Sequence, residues 1–307
     1  MKIAIVGAGA MGDLFGAHLS RAGHGVTLID IDPRELAALR ERGVRLWEED
    51  RFTDVPVHAT DDPASVGPSD LVVVFVKAHH TRSVLGSLPP LRGPGTLVLT
   101  LQNGLGAADV LAEAVPGDRL LVGVTAQGAT KVGPGEVRHG GRGETVLGPY
   151  RPGGAPARPV AEVLTGAGLP ARAVADPWPA VWRKLAVNCA INPVTALAGI
   201  RNGLVAEIPE AGQVAADAVA EVVAVARARG VDLGDPDALA AFVLDVARAT
   251  ATNRSSMGQD VDRRAPTEVD FINGAVVREG ERAGVPVPVN RTLWRLIRTL
   301  EVGYRTG

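Results

Sequence analysis

The chain has 307 residues, of which 46% are apolar and 21% are charged, and its net charge is −2. This length and apolar content suffice for two domains with a sizeable core. The charge balance provides no broad basic surface for nucleic acid or an anionic membrane. The single cysteine, Cys189, excludes a disulfide framework and argues against a metal cluster, so no metal is expected. No signal peptide precedes the first strand and no apolar run is long enough to span a bilayer, so a cytoplasmic location is expected.

The first half of the chain alternates apolar strands with helices. The expected strands and helices are, in order, 3–6, 11–22 (helix), 25–29, 33–42 (helix), 71–76, 97–101 and 120–124. Asp32, Pro33 and Gly43 supply the N-cap, the first position and the end of the second helix. This alternation predicts an α/β domain built on a doubly wound parallel sheet of the Rossmann type. Residues 133–149 predict a β-hairpin beside that sheet.

The strand pattern disappears after Asp176. Helical periodicity then covers residues 179–191, 207–229, 237–256, 267–283 and 290–302. We therefore predict a dinucleotide-binding domain over residues 1–176 and an all-α substrate and catalytic domain over residues 177–307.

A glycine-rich loop follows the first strand and opens the first helix. It consists of Gly7, Ala8, Gly9, Ala10, Met11 and Gly12. In this pattern the first glycine turns the chain, the second admits a pyrophosphate and the third lets the helix pack on the strand. The N-terminus of the helix offers free N–H groups to the phosphates. The loop therefore predicts an NAD(P)H site.

Asp30 ends the second strand, 18 residues after Gly12. A carboxylate there accepts hydrogen bonds from the ribose hydroxyls and repels a 2′-phosphate, and Asp32 adds to the repulsion. We therefore expect NADH to be preferred over NADPH. Arg34 is the counter-argument, because it could pair with a 2′-phosphate.

Two further loops follow the carboxyl ends of predicted strands, which is where open α/β sheets bind their ligands. Lys77 follows the strand that ends at Val76, and Asn103 follows the one that ends at Leu101. Lys77 could contact ribose or phosphate. Asn103 could hold the nicotinamide or the substrate carbonyl, although Asn-Gly is also a common turn.

The segment from Trp182 to Pro193 is apolar except for a cation and amides. Lys184, Asn188 and Asn192 recur every four residues, so on a helix they form one stripe. A lysine in that setting can donate a proton to a small oxyanion. Pro193 is expected to interrupt the helix and leave Asn192 as the cap of a second helix over 193–198.

A second polar group occurs further along the chain. Asn253 and Ser256 are spaced to share a helix face, and Thr267 and Glu268 are placed to open a helix. By itself Glu268 reads as a first-turn carboxylate that complements the helix dipole. The alternative is a carboxylate that binds a substrate hydroxyl or tunes Lys184.

In sequence the chain resembles the ketopantoate reductase (2-dehydropantoate 2-reductase) family. The matching segments span almost the whole chain in order: 7–12, 75–78, 102–106, 182–193, 201–203, 253–260 and 267–274. The run from Arg183 to Pro193 is highly specific to that family. The resemblance implies a Rossmann domain followed by a helical domain like that of 6-phosphogluconate dehydrogenase. It also implies Lys184 as the general acid and Glu268 as a substrate ligand, with a cleft lined by Asn103, Asn188, Asn192, Asn202, Asn253 and Ser256.

One departure from the family concerns the cofactor. Members usually carry an arginine after the second strand for the NADPH 2′-phosphate, whereas Ile31 stands there in this chain. Three functions stay open: reduction of ketopantoate, NAD-dependent reduction of another 2-oxo acid as in D-mandelate dehydrogenases, and a dinucleotide sensor without turnover. The expected partner is a small 2-oxo acid, with neither nucleic acid nor membrane, and a homodimer stays open.

Overall fold

A computed structural model describes residues 1–304. The chain divides into two compact units. The first contains residues 1–102 and 107–177, and the second contains residues 103–106 and the described residues from 178 onward. Residues 103–106 thus group with the helical unit, although they lie within the sequence range 1–176 predicted for the first domain.

The first unit is built on an eight-stranded sheet with the strand order β12-β11-β8-β7-β6-β1-β2-β5. Its strands are β1 (Lys2–Val6), β2 (Gly25–Ile29), β5 (His58–Thr60), β6 (Leu71–Val74), β7 (Leu97–Thr100), β8 (Leu120–Thr125), β11 (Thr145–Pro149) and β12 (Ala171–Ala173). All neighbouring pairs are parallel except β11 with β8. The central strands are buried on both faces, as their continuous apolar sequences require. The predicted Rossmann-type sheet is confirmed.

A second, four-stranded sheet has the order β4-β3-β10-β9. Its strands are β3 (Val44–Glu48), β4 (Arg51–Val55), β9 (Gly128–Gly133) and β10 (Glu136–Gly141). The prediction of one hairpin over 133–149 is wrong. The hairpin joins β9 to β10 through Pro134 and Gly135, where Gly135 has φ +62°. Strand β11 instead extends the main sheet, because it pairs antiparallel with β8.

Along the chain, the helices of the first unit alternate with its strands. They are α1 (Ala10–Arg21), α2 (Pro33–Arg42), α3 (Pro63–Val66), α4 (Ala107–Leu111) and α5 (Arg158–Gly166). The Asp32 side chain accepts a hydrogen bond from the Arg34 N–H, so it caps α2 as predicted.

The second unit is helical. Its helices are α6 (Trp178–Ala198), α7 (Gly203–Glu207), α8 (Pro209–Ala228), α9 (Pro236–Ala249), α10 (Ser256–Asp262), α11 (Asn273–Ala283) and α12 (Pro288–Gly303). The predicted helix over 207–229 corresponds to α8, whereas α7 was not predicted, and the helix predicted over 237–256 ends early, with α9. Pro209 separates α7 from α8 because it cannot continue the hydrogen-bond ladder of α7. An irregular stretch separates α9 from α10, so Asn253 and Ser256 do not share one helix as predicted.

Helix α6 continues through Pro193, which corrects the predicted break. Proline has no N–H to donate to the carbonyl four residues earlier, that of Cys189. The Nδ2 of Asn273 donates to this carbonyl over 3.1 Å. The freed acceptor is therefore satisfied from outside the helix, and Asn192 lies within α6 instead of capping a new helix.

No helix in residues 1–304 combines the length and the hydropathy that a transmembrane span requires.

Candidate active site

The glycine-rich loop has the geometry of a phosphate-binding turn. Gly7 adopts φ +102°, and its N–H donates to the Ile29 carbonyl over 2.8 Å. A Cβ on Gly12 would lie 1.9 Å from the Gly7 oxygen, so only glycine allows this approach. A Cβ on Gly9 would meet nothing within 4 Å. Because α1 begins at the next residue, this open side exposes the positive end of the helix.

Asp30 is bound to the same loop. Its Oδ2 accepts a hydrogen bond from the Ala8 N–H at 2.7 Å, and its Oδ1 accepts from the N–H groups of Ile31 and Asp32. Arg34 lies outside this group and pairs with Asp32 through both Nε and Nη2. Asp30 thus lies at the end of β2, where the sequence predicted it, and it also binds the glycine loop through Ala8.

Sequence reasoning missed a cluster of charged side chains beneath the loop. The Nζ of Lys131, on β9, donates to the Ala8 carbonyl at 3.1 Å, to Glu35 Oε1 at 2.6 Å and to Asp13 Oδ2. The Asp13 side chain is fully buried, and the Gly135 N–H also binds Glu35. Burial raises the pKa of Asp13 to about 8, although Lys131 acts in the opposite direction. The one signal of this cluster in the sequence is Asp13, a carboxylate within an otherwise apolar stretch of α1.

The ends of β6 and β7 are joined by Gln102. Its Nε2 donates to the Val76 carbonyl at 2.7 Å and to Thr81 Oγ1 at 2.9 Å. Lys77 lies beside this contact, immediately before a short 3₁₀ helix over Ala78–His80, and is half-buried. Lys77 is therefore held at the end of β6, where the sequence predicted it.

In the second unit, Lys184 lies on α6 with Asn188 and Asn192 at successive steps of four residues. Because α6 is continuous, the three side chains follow one stripe as predicted. Burial lowers the pKa of Lys184 to about 8, and the nearby charge of Glu268 partly opposes this shift. A lysine with this pKa can both hold and release a proton near neutral pH.

Glu268 is 5% exposed and lies in a turn that precedes α11. The expectation that it opens a helix is wrong, since α11 begins only at Asn273. Its Oε2 accepts a hydrogen bond from Asn103 Nδ2 at 3.0 Å. Gly104 allows this approach, because with φ +83° a Cβ there would lie 2.0 Å from the carbonyl oxygen of Phe271. The structure thus brings together Lys184, Glu268 and Asn103.

The remaining predicted polar residues occupy different environments in the second unit. Asn202 is 9% exposed and donates to Thr250 Oγ1 at 3.0 Å, and its N–H binds the Asn253 carbonyl. Asn253 and Ser256 are exposed, whereas Asn192 is buried. Arg254, between them, donates to carbonyls at the end of α6 and pairs with Asp262. Asn202 and Asn253 are therefore brought together through the backbone.

One group of possible metal ligands lies elsewhere in the first unit. His18, Glu48 and His139 place one ligand atom each within 4.8 Å of one another. Both oxygens of Glu48 already pair with guanidinium groups, from Arg21 at 2.6 Å and Arg142 at 2.8 Å. These arginines lower the pKa of Glu48 to about 2. Their positive charges oppose a cation, so we assign no metal to this group.

Comparison with known proteins agrees with this architecture over almost the whole chain. Residues 3–152 match the family described as Ketopantoate reductase PanE/ApbA, and residues 177–301 match its C-terminal family. The chain is 43% identical to the 2-dehydropantoate 2-reductase of Halobacterium salinarum over 302 residues, which cover 97% of this chain and 98% of the relative.

Two solved structures have the same fold. One is a PanE/ApbA family ketopantoate reductase from Ralstonia eutropha, with 36% identity, a TM-score of 0.90 and coverage of 99% of this chain and 100% of that one. The other is a D-mandelate dehydrogenase in complex with NADH and anilino(oxo)acetate, with 28% identity, a TM-score of 0.93 and the same coverage. The two family matches and the curated relative agree, and the chain belongs to the ketopantoate reductase family of oxidoreductases.

Proposed function

We propose that the protein reduces 2-dehydropantoate to pantoate, with Lys184 as the general acid. The observation that carries the assignment is the position of Lys184 on a largely apolar helix, close to the buried carboxylate of Glu268 and with its pKa lowered to about 8. Identity of 43% to a named 2-dehydropantoate 2-reductase supports the choice of substrate.

The first unit has the features that a nicotinamide dinucleotide requires. The open side of Gly9 and the start of α1 would hold the pyrophosphate, and Asp30 would accept hydrogen bonds from the ribose. Lys77 would supply a cation at the end of the neighbouring strand. When bound, the reduced cofactor supplies the hydride that the C2 carbonyl carbon of the substrate accepts.

The residues of the chain account for the rest of the reaction. As the carbonyl oxygen gains negative charge, the Lys184 ammonium donates its proton to that oxygen, and C2 of the product carries a neutral hydroxyl group beside the unchanged carboxylate. Asn188 and Asn192 lie on the same stripe and orient the oxygens of the 2-oxo acid. Glu268 accepts a hydrogen bond from the substrate hydroxyl, and Asn103 fixes the orientation of its carboxylate. These roles agree with those that the family resemblance implies.

We also propose that NADH is the preferred cofactor. Asp30 and Asp32 place two carboxylates where a 2′-phosphate would lie, and Arg34 is already paired with Asp32. Ile31, at the position where the family usually carries arginine, is 90% exposed and offers no positive charge. The similar D-mandelate dehydrogenase was solved with NADH.

Initial rates with 2-dehydropantoate, measured with equal concentrations of NADH and NADPH, test both proposals. Turnover that is fast with NADH and slower with NADPH supports both. Fast turnover only with NADPH keeps the reaction and refutes the cofactor preference. Negligible turnover with either cofactor refutes the substrate, and a panel of 2-oxo acids including benzoylformate would then test a D-2-hydroxy acid dehydrogenase activity.

A further inference from the structure

The peptide groups on both sides of Ala8 are held by charged side chains. The N–H of Ala8 donates to Asp30 at 2.7 Å, and its carbonyl accepts from Lys131 at 3.1 Å. Asp30 belongs to the main sheet, whereas Lys131 comes from β9 of the second sheet. The second sheet thus reaches the glycine-rich loop directly, at the residue before Gly9.

We infer that Lys131 is a positioning residue for dinucleotide binding, and that its buried partner Asp13 makes cofactor affinity fall in alkaline solution. The inference rests on the proposed role of the glycine loop. By holding the Ala8 carbonyl, Lys131 fixes the orientation of the following N–H groups, which must converge on the pyrophosphate. Without it, Asp30 still holds the peptide group before Ala8, but no side chain holds the carbonyl of the peptide group that leads into Gly9.

The charges of the cluster explain the expected pH dependence. Lys131 is shared by Asp13 from α1 and Glu35 from α2. Among the described residues, Lys131 and Glu35 exert the electrostatic effects on Asp13: Lys131 lowers its pKa and Glu35 raises it. Because the pKa of Asp13 is raised to about 8, its carboxyl carries a proton at neutral pH and loses it above pH 8. Ionisation then adds a negative charge in the first turn of α1, the helix whose N-terminus is proposed to hold the phosphates. That charge repels the phosphates and competes for Lys131.

Dissociation constants for NADH and NADPH at pH 7, measured by isothermal titration calorimetry, test the positioning role. Lys131→Met should raise both constants by about ten- to a hundredfold, the range for loss of one hydrogen bond from a charged group. The kcat at saturating cofactor should stay within about threefold, because the chemistry does not involve Lys131. Lys2→Met is the matched control, since Lys2 binds the Val66 carbonyl instead and the variant should match the wild type.

Lys131→Met leaves Glu35 buried without a cation and could fail to fold. Lys131→Met/Glu35→Gln removes both charges while an oxygen still faces the Gly135 N–H, and circular dichroism reports whether it is folded. Unchanged dissociation constants in the folded double variant overturn the positioning role. A wild type that binds neither cofactor overturns the proposed function as well, so the two failures are distinguishable.

The second arm measures the dissociation constant for NADH between pH 6.5 and 9.5. It should rise by about fivefold above pH 8 in the wild type, the effect of one added charge near the phosphates. The rise should be absent in Asp13→Asn, which cannot ionise, and retained in the exposed control Asp54→Asn. If Asp13 had only a structural role, Asp13→Asn would keep the pH dependence of the wild type. Equal profiles for the variant and the wild type would therefore overturn the pH-dependent part of the inference.

Discussion

The lowered pKa of Lys184 predicts where the reaction fails at high pH. The general acid must carry a proton, and with a pKa of about 8 about nine in ten molecules do so at pH 7. At pH 10 about one in a hundred does, whereas a lysine with the ordinary value near 10.4 would still be mostly protonated. The value of kcat/KM for the 2-oxo acid should therefore fall about tenfold per pH unit above 8.

The assay is the initial rate of NADH oxidation at low substrate and saturating NADH, from pH 6 to 10.5. Saturating cofactor removes the effect that we propose for Asp13 on NADH affinity. Lys184→Met should lower kcat by about 10²–10⁴-fold and abolish the descending limb. Arg183→Met is the matched control, because Arg183 lies on the same helix but is exposed and stacks on Phe242. That variant should keep both the rate and the profile.

Two results would refute this reasoning. A plateau in kcat/KM that extends to pH 10 would mean that the acid is not Lys184 with a lowered pKa. A kcat for Lys184→Met close to that of the wild type would remove its role as the acid altogether.

Three further changes test separate parts of the structure. Glu268→Gln removes the charge that raises the pKa of Lys184, so the descending limb of the kcat/KM profile should move to lower pH and KM should rise; an unmoved limb would contradict the coupling. Ile31→Arg adds a cation at a position that is 90% exposed and should shift the ratio of kcat/KM toward NADPH by about tenfold or more; an unchanged ratio would show that Asp30 and its neighbours still dominate. Asn273→Ala leaves the buried Cys189 carbonyl without its partner and should lower the free energy of unfolding in urea by about 1–3 kcal/mol; a loss below about 0.5 kcal/mol would contradict the contact.

The parts of the fold predicted from sequence are those specified by local patterns. The strands β1, β2, β6, β7 and β8 are short apolar runs bounded by turn residues, and the glycine loop is defined by the spacing of Gly7, Gly9 and Gly12. Strands β3 and β4 were missed because each has only five residues and mixes apolar with charged side chains, and because the other half of the second sheet comes from residues 128–141. Pairing over such sequence distances leaves no periodic signal.

The candidate site divides in the same way. The spacing of Lys184, Asn188 and Asn192 predicted one helical stripe, and α6 has that geometry. The importance of Glu268 came from the family resemblance, since its own sequence context suggested an ordinary first-turn carboxylate. Lys131 could not be connected to Asp13 or Glu35 from sequence, because they lie 118 and 96 residues away.

Pro193 also affects how the helical unit assembles. The last turns of α6 depend on an amide contributed 84 residues later in the chain, so this end of the helix cannot complete its hydrogen bonding by itself. The backbone of α6 beyond Cys189 and the start of α11 should therefore open and close as one cooperative segment in native-state hydrogen exchange. Since Lys184 lies on the same helix and Glu268 lies just before α11, each opening of that segment would loosen the two elements that carry the groups proposed for the chemistry.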